Sequence, residues 1–374
     1  MKPWIKKIII WKLSCVSRLI LWRYKPYIIA IAGSVGKTST KDAIFHVLQD
    51  AGFSVRKSQK SYNSEFGLPL TVIGAENPWG RLMGWVAIIC RALWLAIVKD
   101  PEYPKYLVLE TGVGKLSDMD HIVTIIKPDI SVLTNLPDTP VHVEYFASRE
   151  ELWREEAKLC VATKPEGFCI CNAADTNSRS VIASVLGPTA QQKVVWFGAD
   201  TNAEVGVSSY AYEKTNQGIP YLAATFSVRG MPYHADYHQL VAPYAFDAFL
   251  PAFCIASRLG LDITKAVESL AKFVPPPGRM RAYAAKNSSV VIDDTYNASP
   301  VATHKALEVL AEIPNASRRI AILGDMLELG EYTIPAHEAV GIDAVQKTDV
   351  FIAVGLRMKS AFEAAQKFVA ENNL

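Results

Sequence analysis

The sequence predicts an α/β protein: a mainly parallel sheet built around a phosphate-binding loop, then a smaller Rossmann-like α/β unit. Three observations carry that expectation. The apolar run YIIAIA (27–32) feeds GSVGKTS and then a helical stretch. Short β-rich runs recur at 106–111, 129–136, 167–173 and 193–198, with helical segments between several of them. Finally, FVPPPGRM (273–280) breaks the chain with three prolines and a glycine, and strand-like runs SVVIDDTYN, RIAILGDM and DVFIAVG follow.

Taken in order, residues 4–24 read as a helix with Ile5, Ile8, Ile9, Leu13, Val16 and Ile20 along one side. Lys7, Ser14, Arg18 and Lys25 lie towards the other, with Trp4, Trp11, Trp22 and Tyr24 interspersed. The first 25 residues carry seven Lys or Arg and no acid. Such a helix suits a membrane interface; it equally suits packing of its apolar side on the domain that follows. The segment 82–98, LMGWVAIICRALWLAIV, approaches the length of a membrane span and is broken only by Arg91. A crossing there would separate the phosphate loop from the strand YLVLET; if the two share a site, the segment is a buried or interfacial helix. Residues 201–240, alternating and turn-rich, read as an antiparallel appendage. The expected organisation is therefore a basic helix over 1–26, a central domain over 27–275 and a C-terminal domain over 276–374.

Composition narrows little else. A net charge of +2 on 374 residues is uninformative about partners, and no nucleic-acid partner is expected. Six cysteines without zinc-finger spacing fit buried thiols in a reducing compartment, and no secretory signal is recognisable, which points to a cytoplasmic protein, either free or held at the inner face of the membrane. The chain reads as a monomer.

A strand delivering a glycine-containing loop to a helix N-terminus aims backbone N–H groups at an anion. Lys37 adds a charge for β- and γ-phosphates, and Thr38 a hydroxyl suited to Mg²⁺. The longer loop pattern would need glycine where Ile31 stands; Ile31 lies inside the strand, so the working pattern is the shorter G-x-x-G-K-T-S from Gly33 to Ser39. Glu110 ends an apolar strand, where open parallel sheets present functional groups. His142 follows another strand, a position that is often structural. Lys158, in REEAKLC, reads by default as a surface lysine paired with Glu155 or Glu156.

The ordered set AGSVGKTSTKDAI, SYNSEFGLPLTVIG, LVLETGVG, PDISVLTNL, HVEYFAS, Ala157-Lys158, Gly278-Arg279-Met280, IDDTYNASP and ILGDMLELGE with His337 resembles the Mur ligase family over residues 27–357. The resemblance implies an ATP-dependent amide-bond ligase of peptidoglycan precursor synthesis. A muropeptide-like carboxylate would be activated as an acyl phosphate and attacked by an amine such as D-alanyl-D-alanine. It implies that Ser34, Val35, Gly36, Lys37, Thr38 and Ser39 cradle the phosphates and that Thr38 and Glu110 hold one Mg²⁺. His142 and Lys158 would serve a second, with Lys158 carbamylated by CO₂. Arg279, Asp294 and Asn297 would reach the nucleotide from the C-terminal domain, and Asn63, Asp325 and His337 would contribute to the substrate side.

The chain also departs from the family's pattern. About 26 residues precede the first strand, where the family carries a uridine-binding domain, and the chain stops at Leu374 before the last strands of a full C-terminal domain. The expectation is a fragment or a shortened relative. YNS stands at 62–64 for the usual YNN, Ala32 stands for threonine, and the asparagine expected near the adenine is not evident in APYAFDAFLPAF. Two other classes remain open: a different P-loop NTPase, turning over nucleotide without an amine, and a non-catalytic nucleotide-binding module at the membrane surface.

Overall fold

The computed structural model describes residues 3–59, 67–78, 81–138, 145–200 and 202–372. Helix α1 (Pro3–Tyr24) leads into β1 (Tyr27–Ala32), and the loop after it opens α2 (Lys37–Asp50). Then come β2 (Val55–Lys57), α3 (Gly67–Ile73), α4 (Leu82–Ile97), β3 (Tyr106–Glu110), α5 (Asp118–Ile125), β4 (Ile130–Leu133) and α6 (Arg149–Val161). They are followed by β5 (Phe168–Asn172), α7 (Thr176–Val185), the short α8 (Pro188–Gln191) and β6 (Val194–Phe197). Strands β7 (Val205–Lys214), β8 (Pro220–Val228) and β9 (Met231–Tyr237) precede a 3₁₀ turn (Pro243–Ala248), α9 (Leu250–Arg258) and α10 (Ile263–Ala271). The remainder comprises β10 (Arg281–Ala284), β11 (Val290–Asp293), α11 (Pro300–Glu312), β12 (Ile320–Gly324), α12 (Thr333–Lys347), β13 (Val350–Val354) and α13 (Met358–Asn372).

One nine-stranded sheet runs β2-β3-β1-β4-β5-β6-β7-β8-β9. It is parallel from β2 to β7 and antiparallel over β7-β8-β9. Residues 205–237 are therefore not an appendage: β7 pairs in parallel with β6 through Phe197 and Val205, and the antiparallel strands extend the same sheet. Alternation showed the pairing mode but not the edge it attaches to, which depends on non-local register.

Strand β1 shows the two-sided burial that a doubly covered parallel sheet demands. Ile28, Ala30 and Ala32 face one core, with Leu13 and Ile20 of α1, Leu70 of α3 and Leu95 of α4. Ile29 and Ile31 face the other, with Ile44 and Leu48 of α2 and the aromatic group Phe226, Phe246, Phe249 and Phe253. Chain order puts β1 between β3 and β4. The connection leaving β1 runs towards β2, and the one leaving β4 runs towards β5, so the crevice at their C-terminal ends is a topological switch point.

Helix α1 packs on α3, α4 and α5 with Ile9, Leu13, Val16 and Ile20 of the expected side turned inward, although Ser14, expected on the other side, is buried as well. The buried residues are Ile10, Leu13, Ser14, Ser17 and Ile20, while Trp11, Leu19 and Trp22 face solvent. Helix α4 buries Ile88, Ala92 and Leu95 and leaves Met83, Val86, Ile89, Leu93, Trp94 and Ile97 exposed. No helix of the described residues is long and apolar enough to cross a membrane.

After Met280 the chain forms two small sheets, β10-β11 antiparallel and β12-β13 parallel, covered by α11, α12 and α13. Met280 and Val309 pack against Val241 and Ala242, which seats this part beside the 3₁₀ turn.

Candidate active site

The loop after β1 is built by two glycines in left-handed backbone. Gly33 has φ +119°, and a Cβ there would lie 2.3 Å from Thr134 Oγ1, so only glycine lets β1 pass the end of β4 this closely. Gly36 has φ +89° in open space and turns the chain into α2. Ser34 N–H donates to Asn135 O at 3.1 Å, and Val35 bridges Asn135, which fastens the loop to the segment after β4. Lys37 folds back and donates to the Gly33 carbonyl. Ser34 Oγ, shielded from solvent, has no hydrogen-bond partner among the described residues, and a donor so placed fits an anion in the loop.

Glu110 stands at the end of β3 and is 2% exposed. Thr38 Oγ1 lies 3.1 and 3.0 Å from its two oxygens, and Lys41 Nζ lies 3.1 Å from Oε2. Threonine hydroxyl and carboxylate at the mouth of a phosphate loop are hard oxygen donors of the kind Mg²⁺ selects, so Thr38 and Glu110 fit that ion. The sequence reading missed Lys41, whose surface-like position on α2 is in fact buried against Glu110.

The largest difference from expectation lies on α6. Ser148 caps this helix, its Oγ accepting from Glu151 N–H. Glu156, not Lys158, faces the loop: its Oε2 accepts from Gly33 N–H at 3.0 Å, and its Oε1 is 4.0 Å from Lys37 Nζ. Burial pushes the Glu156 carboxyl up to about 7, with Lys37 and the Gly33 N–H opposing the rise and Glu155 adding to it. Lys158 turns towards α5, with Nζ 2.6 Å from Asp120 Oδ2 and 2.8 Å from Glu155 Oε2. The default reading of Lys158 as a paired lysine thus describes its geometry, with Glu155 as the partner. A signal for Glu156 was available: with Leu152, Trp153, Leu159 and Cys160 it falls at the three-and-four spacing of the buried face of α6.

His142 and Asn63 lie outside the described residues. Arg279 stacks over Tyr296 with Cζ 4.3 Å from the ring centroid, and Asp294 Oδ1 accepts from Met280 N–H at 3.2 Å. Burial raises the Asp294 carboxyl above the usual range, against the pull of Arg279 and the Met280 N–H. Asn297 is exposed on the same turn. Among the described residues no hydrogen bond links these three to the loop. A cleft of 680 Å³ separates the two parts near Asn135; Asp138 and Asp247 line it from one side, Pro300, Lys305 and Tyr332 from the other. Lys305 Nζ reaches to 3.6 Å from Asp247 Oδ2 across it. The sequence reading missed Asp247, which stands in the 3₁₀ turn where an asparagine was sought.

Asp325 accepts from Arg357 and Met358 N–H at 2.9 and 3.0 Å and fixes the start of α13. His337 is fully buried: Met326 N–H donates to its Nε2 at 3.0 Å, so Nδ1–H donates to Thr333 O at 2.6 Å. That ring organises the turn after β12 and does not present itself to a substrate, a correction to the expectation for His337. The spacing of GDMLELGE to His337 carried the folding constraint, which looks the same in sequence as a binding one.

A parallel sheet whose first strand ends in this loop, with a carboxylate on the neighbouring strand, defines a phosphate-loop α/β protein with its site at the switch point. Residues 91–240 match the family model described as the Mur ligase middle domain, and residues 278–373 match the Mur ligase glutamate ligase domain. The chain belongs to the Mur ligase family. Its relatives include the UDP-N-acetylmuramoyl-tripeptide–D-alanyl-D-alanine ligases of Rickettsia prowazekii, 27% identical over 84% of this chain and 62% of that protein, and of Escherichia coli, 25% identical over 84% and 61%. The chain spans about three fifths of the length of these curated relatives. Among solved structures it resembles MurF from Acinetobacter baumannii, with a TM-score of 0.76 at 20% identity, covering 95% of this chain and 69% of that one. It also resembles the MurF ligase from Thermotoga maritima in complex with ADP, with a TM-score of 0.71 at 21% identity, covering 97% and 84%. These structural likenesses speak to the fold.

Proposed function

We propose that this chain is an ATP-dependent amide-bond ligase that joins a muropeptide-like carboxylate to an amine such as D-alanyl-D-alanine. The observation that carries the reading is the phosphate loop with Glu110 at the switch point, in a chain of the Mur ligase family. A carboxylate does not react with an amine until one oxygen becomes a leaving group. In the proposed reaction a substrate carboxylate oxygen attacks the γ-phosphorus and the bond to the β,γ-bridging oxygen breaks, giving acyl phosphate and ADP. The amine then attacks the acyl carbon, phosphate departs, and the ammonium proton is released.

The residues act by position and charge. Ser34 Oγ, the backbone N–H groups that follow it through Ser39 and the Lys37 ammonium bind the phosphate oxygens, and Lys37 leaves its Gly33 carbonyl partner to do so. Thr38 and Glu110 would hold Mg²⁺, which neutralises phosphate charge when bound. Arg279, Asp294 and Asn297 would reach the nucleotide from the C-terminal part, so that closure completes the site. The proposed division into 27–275 and 276–374 is supported by the cleft lined from both parts. The test is ATP turnover with muropeptide carboxylates in the presence of hydroxylamine. A hydroxamate formed in proportion to ADP supports acyl-phosphate chemistry; ADP and phosphate without hydroxamate, with any carboxylate, overturns it in favour of a simple NTPase.

The proposed location is the cytoplasmic face of a membrane with anionic lipids. Helices α1 and α4 meet at their C-terminal turns, where Arg23 Nη2 donates to Ile97 O at 3.0 Å. Each exposes an apolar stripe, with Trp11 64%, Trp22 71%, Met83 77% and Ile97 74% accessible. Neither helix contains an acid, while Lys12, Arg18 and Arg91 are exposed on them. Apolar side chains with tryptophans, on two helices whose charged residues are all cations, complement an anionic interface, where each cation contributes about 1 kcal/mol. Replacing Trp11 and Trp22 by Ala together is expected to lower partitioning onto phosphatidylglycerol vesicles at least tenfold, read by co-sedimentation. Equal partitioning of both proteins, or burial of the face in a dimer by sedimentation analysis, removes this part of the proposal.

A further inference from the structure

Residues 156 and 158 of α6 are separated by about 200° around the helix, so they cannot serve the same pocket. The side facing the phosphate loop is held by Glu156, which is 2% exposed and bonded to Gly33 N–H at 3.0 Å. Lys158 points the other way, and its Nζ sits between two carboxylates, Asp120 at 2.6 Å and Glu155 at 2.8 Å. An amine must be neutral and unencumbered to add CO₂, and Lys158 is tied down as an ammonium on the wrong face. Glu156, by contrast, already places two carboxyl oxygens beside the loop, flanking it from α6 as Glu110 flanks it from β3.

A carboxylate aimed at a polyphosphate pocket repels its ligand unless a cation lies between them. Lys37 is one such cation, but the proposed function gives it to the phosphates. We propose that Glu156 supplies, as an encoded carboxylate, a second ligand position for the divalent cations that accompany the nucleotide, so that this chain needs no CO₂-derived carbamate on Lys158. The Gly33 N–H bond fixes one oxygen of Glu156 and leaves Oε1, 4.0 Å from Lys37 Nζ, to turn to a metal ion once Lys37 engages phosphate. The ligand set becomes carboxylate and hydroxyl oxygen, which suits Mg²⁺ or Mn²⁺.

The inference rests on the nucleotide-binding part of the proposed function, but its test does not require ligation. The full chain is titrated with Mn²⁺ in the presence of a non-hydrolysable ATP analogue, with free Mn²⁺ read by electron paramagnetic resonance. Glu156→Gln keeps an acceptor for Gly33 N–H and removes the charge. It is expected to weaken one Mn²⁺ site at least tenfold relative to the natural chain, whereas Lys158→Ala leaves the titration unchanged. In ¹³C-bicarbonate the natural chain is expected to show no carbamate resonance that Lys158→Ala abolishes. Wild-type Mn²⁺ binding by Glu156→Gln overturns the proposal, and so does a Lys158-dependent carbamate resonance. Should Glu156→Gln melt before the assay temperature, the Mn²⁺ titration and ¹³C spectra of the natural chain and Lys158→Ala decide the question. Because no acceptor is present, a chain that makes no hydroxamate still returns either answer.

Discussion

Glu110→Gln is expected to lower the free energy of unfolding by about 3–5 kcal/mol, the cost of breaking a buried ion pair from one side. The side chains of Lys41 and Glu110 are 2% and 3% exposed and 3.1 Å apart. Glutamine preserves the shape and an acceptor for Thr38 but leaves the Lys41 ammonium facing a neutral amide. Among the described residues Asp42 also approaches Lys41, at 3.9 Å, and is itself bonded to Lys57 at 2.8 Å. The decisive measurement is a urea denaturation series including Lys41→Met and the double substitution. With the slope unchanged, the midpoint is expected to fall sharply for Glu110→Gln and to recover most of the loss when Lys41 is also replaced. Additive losses in the double variant would mean that the pair is not coupled and that Glu110 contributes through another contact.

The second large effect is expected from Gly33→Ala. The added methyl meets Thr134 Oγ1 at 2.3 Å and the Thr134 backbone nitrogen at 3.0 Å, while φ +119° is itself unfavourable for an L-residue. Strain and overpacking together are expected to cost about 3 kcal/mol. The end of β4 must move, taking with it the Asn135 contact that fastens the loop. Nucleotide affinity should therefore fall at least tenfold, about 1.4 kcal/mol, by calorimetry with ADP. Gly36→Ala is the control. Its φ is +89° but nothing lies within 4 Å of the new methyl, so only the backbone penalty of about 1–2 kcal/mol applies. If the two variants lose stability equally, the close approach of β1 to β4 is not what requires glycine at 33.

Much of this site was legible before any coordinates, because its parts are local. A strand, two glycines, a lysine and a threonine within thirteen residues dictate a loop whose N–H groups converge. Glu110 was legible for a related reason, since strand ends in a parallel sheet gather at one edge. Other readings depended on how distant segments meet. The attachment of β7 to β6, the burial of Ser14 and Ser17 on α1, and the burial of Lys41 against Glu110 are all set by partners far away in sequence.

The sequence by itself determined the fold class, the phosphate loop and the carboxylate beside it, because periodicity and backbone conformation act within a few residues. Which charged residue of REEAK serves the loop was decided only by tertiary structure. A helix carries Glu155, Glu156 and Lys158 at fixed angles, but its rotation about its own axis is set by what the sheet and α5 offer each face. That rotation turned Lys158 to Asp120 and Glu156 to Gly33.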